Sequence, residues 1–504
     1  MLQIRKILTI CIALFSIWAC SDSNKNKQEY QSMPLGKILA QVGDRIITVD
    51  EFIRRAEYTV RPPYCHDDSP IHKKIILNSL IAEKLMMMDL DSHETDQNFT
   101  DYLIGRKEQK MRDLLYKNEG YDKAVIHDTL VVKMSQWAMR NYKIHYFAYE
   151  DSGISDGILK MVQDGLSFNE IYNGLFKLDS IPIRNVDYFQ ELDPTITTAL
   201  FTKKLQKDEI VGPIKTLDGS YLLMQIKGWT STVPITNPDQ RSLASRVGEK
   251  LKSEQANLHY TGYAHKIMQG KSMKLNAEAF NEFSNMIEKR YRVTRNNQEE
   301  TAEMMMWQKE ITADLPDEEP VISFSSNSTI LEFDGQNWDV KDLEALIKTH
   351  PLVFRKKNIA AGEFSQQLKF AIADLFRDHF LTMEAYKKNL DKDVNIIQDQ
   401  QMWSDSYKSI IRRNQLLNRS DFDSTPDKSY LKIINESLNP FVNSLQEKYS
   451  DSVLINFEEF DKLRLTSIDM FAISENVPYP VIVPDFPLLT TDHNIDYGKS
   501  LENK

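Results

Sequence analysis

The sequence predicts an α+β, mostly helical fold. Long stretches carry apolar residues at helical spacing, most clearly residues 71–91 and 364–390. Short alternating segments joined by Asp/Gly turns predict hairpins, and the 504-residue length predicts several domains. We divide the chain into a leader, a tether and five further segments: 1–19, 20–35, 36–135, 138–230, 236–320, 328–426 and 427–504.

The N-terminal segment has the pattern of an export signal. Arg5 and Lys6 precede an apolar run over residues 7–18, which is too short to span a bilayer. Ala19-Cys20 resembles the cleavage site of bacterial lipoprotein signals, which implies a lipid on Cys20. The polar residues 20–35 would then form a flexible tether. An ordinary secretory signal and an uncleaved anchor helix are the alternatives.

The net charge of the chain limits its possible partners, and its cysteine content limits its possible disulfides. The formal net charge of −11 argues against nucleic acid as a partner. Removal of Cys11 with the leader and lipidation of Cys20 leave Cys65, so no intramolecular disulfide is expected. We expect the protein in the cell envelope, attached to a membrane facing the periplasm through the lipid on Cys20.

Residues 36–135 begin with a predicted hairpin over residues 38–48, turning at Gly43-Asp44. A helix is predicted to follow. Thr48 is its candidate N-cap and Glu51 stands three residues later, as in a capping box.

The hairpin pattern occurs a second time. Residues 330–343 repeat the order of residues 38–52, namely strand, Asp/Gly turn, strand and an acidic helix start. Each copy precedes one of the long amphipathic helices. A chance similarity of two hairpins is the alternative.

The remaining segments flank this repeat. Residues 236–320 are predicted to be helical, with loops at Asn296–Glu300 and Asp314–Glu319. Residues 427–504 are predicted to hold a helix and an extended tail. Because the tail is rich in proline, we expect it along a surface or a strand edge and outside the core.

Residues 138–230 show a mixed order of strands and helices. Several patterns follow one another there: a strand with His145, the helix residues Gly165, Phe168 and Ile171, then Ala199-Leu200-Phe201 and Glu209–Ile214. With the preceding hairpin and helices, this order resembles the SurA-type periplasmic chaperones and the parvulin-type peptidyl-prolyl isomerases. The resemblance covers residues 36–230 and implies a parvulin-like α/β module flanked by helical chaperone-type segments.

The resemblance also implies site residues. His145 and Tyr221 would be the catalytic polar groups, and Leu192, Ile196 and Phe201 would bind the substrate proline. The pattern is degenerate: Tyr221 replaces a second histidine, Arg184–Asp187 lacks the family's glycines, and the pocket's acidic or cysteine residue falls near Asp179. An alternative is that Leu192, Ile196 and Phe201 are core residues and His145 an interior histidine.

Three functions are consistent with this resemblance. The first is an envelope lipoprotein that assists folding of unfolded or partly folded exported proteins, with peptidyl-prolyl isomerase activity in a weakened site. The second is a non-enzymatic holdase, for which the methionines at 86–88 and 304–306 are adaptable contacts or plain core residues. The third is an assembly lipoprotein with one fixed partner.

No cofactor or metal is predicted. Cys65-His66-Asp67-Asp68 holds ligand-type residues, but adjacent residues rarely converge on one ion, and Pro62-Pro63 places them in a loop. Motifs for phosphate binding or for hydrolysis are absent from the sequence.

Overall fold

The structure is a computed structural model, which describes residues 37–90, 97–176, 180–216, 219–306, 329–356, 358–419, 430–467, 470 and 472–501. Its described part is an α+β, mostly helical fold, as predicted. The leader, Cys20, the tether, Asp179 and Asp314–Glu319 lie outside the described residues.

The strands are β1 Ile38–Val42, β2 Arg45–Thr48, β3 Arg140–Tyr149, β4 Ile183–Asp187, β5 Ile210–Lys215, β6 Tyr221–Ser231, β7 Met273–Leu275, β8 Leu331–Phe333, β9 Gln336–Trp338, β10 Val453–Ile455 and β11 Lys499–Ser500. The helices are α1 Val49–Glu57, α2 Pro70–Met88, α3 Gln97–Glu119, α4 Asp128–Ala138, α5 Ser152–Gln163, α6 Phe168–Phe176, α7 Pro194–Phe201, α8 Asn237–Met268, α9 Ala277–Met306, α10 Val340–Thr349, α11 Phe364–Lys387, α12 Val394–Arg419, α13 Tyr430–Ile433, α14 Asn439–Tyr449 and α15 Phe457–Lys462.

The described residues fall into two compact units. The first comprises those within Met1–Met111, Ser272–Phe376 and Tyr386–Lys504, and the second those within Arg112–Lys271 and Arg377–Ala385. The first unit holds two sheets, with strand orders β11-β10-β1-β2 and β7-β8-β9, and the second unit holds the sheet β4-β3-β6-β5.

The predicted N-terminal hairpin is present as β1 and β2, and Thr48 caps the following helix. The Thr48 hydroxyl accepts a hydrogen bond from the Glu51 backbone N–H at 3.0 Å. The Glu51 carboxylate, however, pairs with Lys84 of α2 at 3.2 Å. The capping prediction is therefore confirmed for Thr48, while the Glu51 side chain is used in tertiary packing.

A buried ionic network joins α1 and α2. Arg55 and Glu83 are fully buried and form a two-pronged ion pair, with N–O distances of 3.1 and 2.7 Å. Lys84 lies within 3.3 Å of carboxylate oxygens of Glu51, Glu83 and Asp405. Burial by itself raises the pKa of Glu83, but the charges of Arg55 and Lys84 outweigh it and lower the pKa. Each buried charge is thus compensated by its neighbours.

The C-terminal tail corrects one expectation. It does add an edge strand, because β11 pairs in parallel with β10. The expectation that the tail stays out of the core was wrong, since Phe486, Leu489 and Ile495 belong to the main core of the first unit. The buried residues Val483, Phe486 and Leu489 are spaced by three, which matches the three-residue turn of a proline-rich extended chain. Polar groups bind the tail's carbonyls, as Arg55 does at Asp485 (2.8 Å).

In the helical segment 236–320 one expectation was wrong, and one element was not predicted. Residues Asn296–Glu300, expected as a loop, lie inside α9. Good helix formers on both sides outweigh a short polar run. Nor did any sequence pattern predict β7, a three-residue strand between two long helices.

The four-stranded sheet of the second unit is antiparallel and covered on both faces. One face packs with α4, α7 and α8 around Tyr142, and the other packs with α5 and α6 around Phe147. Gly165 ends the turn after α5 with a φ of +84°, a conformation that glycine adopts without strain. Because successive side chains of a strand point to opposite faces, each polar side chain of β3 and β6 lies on the same face as one of the two cores.

We predict that Lys84→Met destabilises the first unit by about 3–5 kcal/mol, because it removes the buried cation that Glu51, Glu83 and Asp405 share. Calorimetric unfolding of the full chain measures this effect. The control is Lys462→Met, which removes an exposed cation from its pairs with Glu458 and Glu459 and should leave the transition unchanged. Equal transitions in the two variants would contradict the role given to the network.

Candidate functional site

The expected site residues lie in the second unit, on the element order that the resemblance implies. His145 lies on β3, Ile196 and Phe201 on α7, and Tyr221 at the start of β6, while Leu192 precedes α7. The face of the sheet on which each side chain lies determines what surrounds it.

His145 faces the core that contains α5 and α6. It stands two residues before Phe147, and its ring centroid lies 6.3 Å from that of Phe168. Its neighbours across the sheet are Gln225 on β6 and Ile183 on β4. The Nδ1 atom of His145 and the Oε1 atom of Gln225 are both buried and lack a hydrogen-bond partner. These two unsatisfied polar atoms belong to residues that lie opposite each other across the sheet.

The environment of His145 favours the neutral ring. Desolvation lowers its pKa from 6.5, and the positive charges of Lys227 and Lys143 lower it further. Asp208 opposes this effect but is itself paired with Lys227 at 3.0 Å. A neutral imidazole can accept or donate one hydrogen bond, which suits contact with a peptide group.

Tyr221 faces the same core but at the other end of the strand. It lies opposite Tyr149, and the two rings stack with centroids 5.6 Å apart. His145 lies opposite Gln225, four residues further along β6, which corresponds to roughly 13 Å. The structure therefore does not bring His145 and Tyr221 together.

The apolar residues lie elsewhere again. Ile196 and Phe201 are 5% and 0% exposed and belong to the core on the opposite face of the sheet. The Phe201 ring packs edge-on against Tyr142 and Tyr188, each at 5.3 Å between centroids. Leu192 is 87% exposed. Ile196 and Phe201 therefore lie on the other face of the sheet from His145 and Tyr221, and Leu192 is exposed.

Sequence reasoning missed three contacts around these residues. Gln225 faces His145, Tyr149 stacks on Tyr221, and Arg184 forms an ion pair with Glu191, the residue before Leu192. Alternation along β6 could have placed Tyr221, Leu223 and Gln225 on one face, but not Gln225 opposite His145. The contacts of Gln225 and Tyr149 depend on the register of β3 with β6, and the ion pair depends on loop geometry, for which the sequence carries no signal.

The candidate metal-ligand run in the first unit has other contacts. Cys65 is buried in the main core, Asp67 lies 2.7 Å from His72, and Asp68 accepts a hydrogen bond from the Leu465 N–H. Among the residues that the structure describes, no cluster of three or more His, Cys, Asp or Glu side chains is arranged for a metal ion. In the same residues, no helix has the length and apolar character of a membrane span.

Comparison with known proteins gives a limited result. No family model matches the sequence, and no curated protein matches it. Among solved structures, PrsA of Bacillus subtilis matches with 16% identity over 37% of this chain and 82% of its own, at a TM-score of 0.15. The peptidylprolyl isomerase PrsA of Bacillus cereus matches with 10% identity over 45% and 88%, at 0.19. That of Bacillus anthracis matches with 14% identity over 37% and 96%, at 0.17. At such TM-scores these likenesses carry no argument, so the function is inferred from this chain's own residues.

We predict that the pKa of His145 lies below 6.5, because burial and the two nearby lysines disfavour its charged form. Since the folded pKa is lowered, stability falls as the pH drops below the unfolded value near 6.5. Histidine-selective NMR titration measures the pKa, with His145→Gln to assign the signal. A pKa at or above 6.5 would contradict this environment.

Proposed function

We propose that the protein is a folding helper of the cell envelope that holds unfolded or partly folded exported proteins by non-covalent contacts. The observation that supports holding over isomerisation is the arrangement of the module. Its expected proline-binding residues Ile196 and Phe201 fill a core, and its expected polar residues are separated along a strand.

Prolyl isomerisation needs a formed pocket. The barrier to rotation is about 18–20 kcal/mol, and an enzyme lowers it by favouring the twisted amide over the planar one. An apolar cavity must hold the ring while polar groups address the peptide carbonyl. Where Phe201 is fully buried between Tyr142 and Tyr188, it supports the fold and presents no surface to a substrate.

Holding requires exposed apolar side chains. The second unit has such residues on α5, where Ile154, Leu159 and Met161 are exposed while Ile158 of the same helix is buried. Leu192 adds an exposed contact elsewhere on the unit. Methionine and leucine side chains adapt to varied apolar segments, which suits clients without a common sequence.

The first methionine run has a structural role. Met86 is fully buried in the core of the first unit, and the Met88 side chain lies close to Gly43 at the turn of the β1–β2 hairpin. We therefore assign client contacts to α5 and Leu192.

We expect the full chain to suppress aggregation of an unfolded envelope protein and to leave the rate of prolyl isomerisation in short proline-containing peptides unchanged. A protease-coupled assay and light scattering measure the two activities. Met161→Gln should weaken suppression because it removes apolar contact area, whereas Lys160→Gln on the same helix should not. Acceleration of isomerisation that is lost in Tyr221→Ala or Leu192→Ala would establish an enzyme and overturn the holding proposal.

The location forms a second part of the proposal: the chain is anchored by a lipid on Cys20. We predict that Cys20→Ser moves the protein from the membrane fraction to the soluble fraction, because no acyl chain can then be attached. Cys11→Ser, which alters a cysteine inside the leader, is the matched control and should remain membrane-bound. Retention of the Cys20→Ser variant in membranes would exclude this anchor.

A further inference from the structure

The first unit contains the same three-stranded arrangement twice. In each copy a hairpin is followed by a capped helix, and a third strand pairs antiparallel with the hairpin's first strand. The third strands share a sequence pattern that the hairpins alone do not reveal. Ser452, Asn456, Glu458 and Phe460 around β10 correspond to Ser272, Asn276, Glu278 and Phe280 around β7.

The backbone contacts of the two copies correspond as well. In the first copy, the Gly43 N–H donates to the Ser452 C=O (2.8 Å) and the Asn456 N–H to the Leu39 C=O (2.9 Å). In the second copy, the Asp334 N–H donates to the Ser272 C=O (3.1 Å) and the Asn276 N–H to the Ile330 C=O (2.9 Å). In both copies the asparagine side chain then accepts from backbone N–H groups of the following helix. Residue positions can therefore be transferred from one copy to the other.

The outer edge of β10 shows what such an edge binds. β11 lies along it in parallel, and the Leu501 N–H donates to the Ile455 C=O at 2.8 Å. Gly498 allows this approach, because a Cβ atom there would lie 2.7 Å from the Ile455 Cδ1. The edge thus accepts an extended segment with a glycine against Ile455.

β7 is the edge strand of its sheet, and no described strand pairs with its outer edge. Ser272 and Asn276 bond to the hairpin, so alternation turns the backbone groups of Met273 and Leu275 to the outer edge. Leu275 takes the place of Ile455 in this edge. An edge of this kind is a template for a further strand.

We propose that the outer edge of β7 binds an extended segment of an unfolded client, in parallel and with a small residue against Leu275. This inference rests on the proposed function, for which it names a binding surface. Backbone pairing reads little side-chain sequence, as a protein with many clients requires.

The C-terminal tail of a second molecule of this protein is a poorer occupant than a client segment. In every molecule the tail is fixed to its own β10, with Ile495 buried in the core and the Tyr497 hydroxyl donating to Asn78 at 2.7 Å. Releasing it would cost those contacts. A client segment has no such competing contacts.

The test uses cysteine trapping at this edge. The full chain with Lys274→Cys and Cys20→Ser is mixed with a peptide of sequence Asp-Tyr-Gly-Cys-Ser-Leu, which copies Asp496–Leu501 with one substitution. Its cysteine replaces Lys499, which pairs with Leu454, the counterpart of Lys274. The peptide cysteine is supplied as its pyridyl disulfide, so that the introduced thiolate attacks it and releases pyridinethione, and we expect a mixed disulfide, detected by mass spectrometry. Adding Met273→Pro should reduce trapping about fivefold or more, since it removes an outward N–H and keeps the bonds to β8.

Matched controls separate the outcomes. Met273→Val keeps the N–H and should trap normally, and a peptide with valine in place of glycine should trap poorly. The inference is overturned if the Met273→Pro variant traps the peptide as well as the parent does, or if the valine peptide is trapped as well as the glycine peptide. It is also overturned if the protein forms a concentration-dependent dimer that Met273→Pro dissociates. Aggregation suppression is measured on the same variants. If the Lys274→Cys chain traps the peptide but the wild-type chain does not suppress aggregation, the proposed function is refuted and the binding surface at β7 is not.

Discussion

The buried ion pair between Arg55 and Glu83 is the constraint on which the first unit depends. Two charges without exposure to water are tolerated because each is hydrogen-bonded by the other and by further partners. Those partners come from distant parts of the chain. Asp405 of α12 lies at Lys84, and the Asp485 carbonyl of the tail binds Arg55. The buried charges of the N-terminal helices are therefore fully paired when the last hundred or so residues are in place.

The same dependence holds for the sheets. β1 pairs with β10, more than four hundred positions later in the chain, and Asn456 donates to the Leu39 carbonyl. Pairing over such a sequence separation is slow, because closing the loop costs entropy before the contact is made. An unpaired strand edge is a template for pairing with other chains. Covering β10 with β11 removes one such edge in the finished molecule.

Local patterns were predicted well and pairings poorly. The hairpin at 38–48, the cap at Thr48 and most elements in residues 138–230 follow from alternation, capping and periodicity, which act over a few residues, although β4 was not predicted. β7 and the burial of Phe486 could not be predicted, because each depends on a partner far away in the chain. For the candidate site, the strand carrying His145 was predicted. Its separation from Tyr221 depends on the register with β6, and a register is a tertiary property.

The register of β3 with β6 also decides which side chains meet on each face of the module. Tyr221 stacks on Tyr149 near one end of the pairing, while Gln225 lies opposite His145. The face that carries Phe201 is filled by Tyr142 and Tyr188, both fully buried large rings. Bulky aromatic packing of this kind stabilises the sheet. Ile196 and Phe201, the two residues of α7 that were expected to bind proline, are therefore part of the core that holds this helix on the sheet.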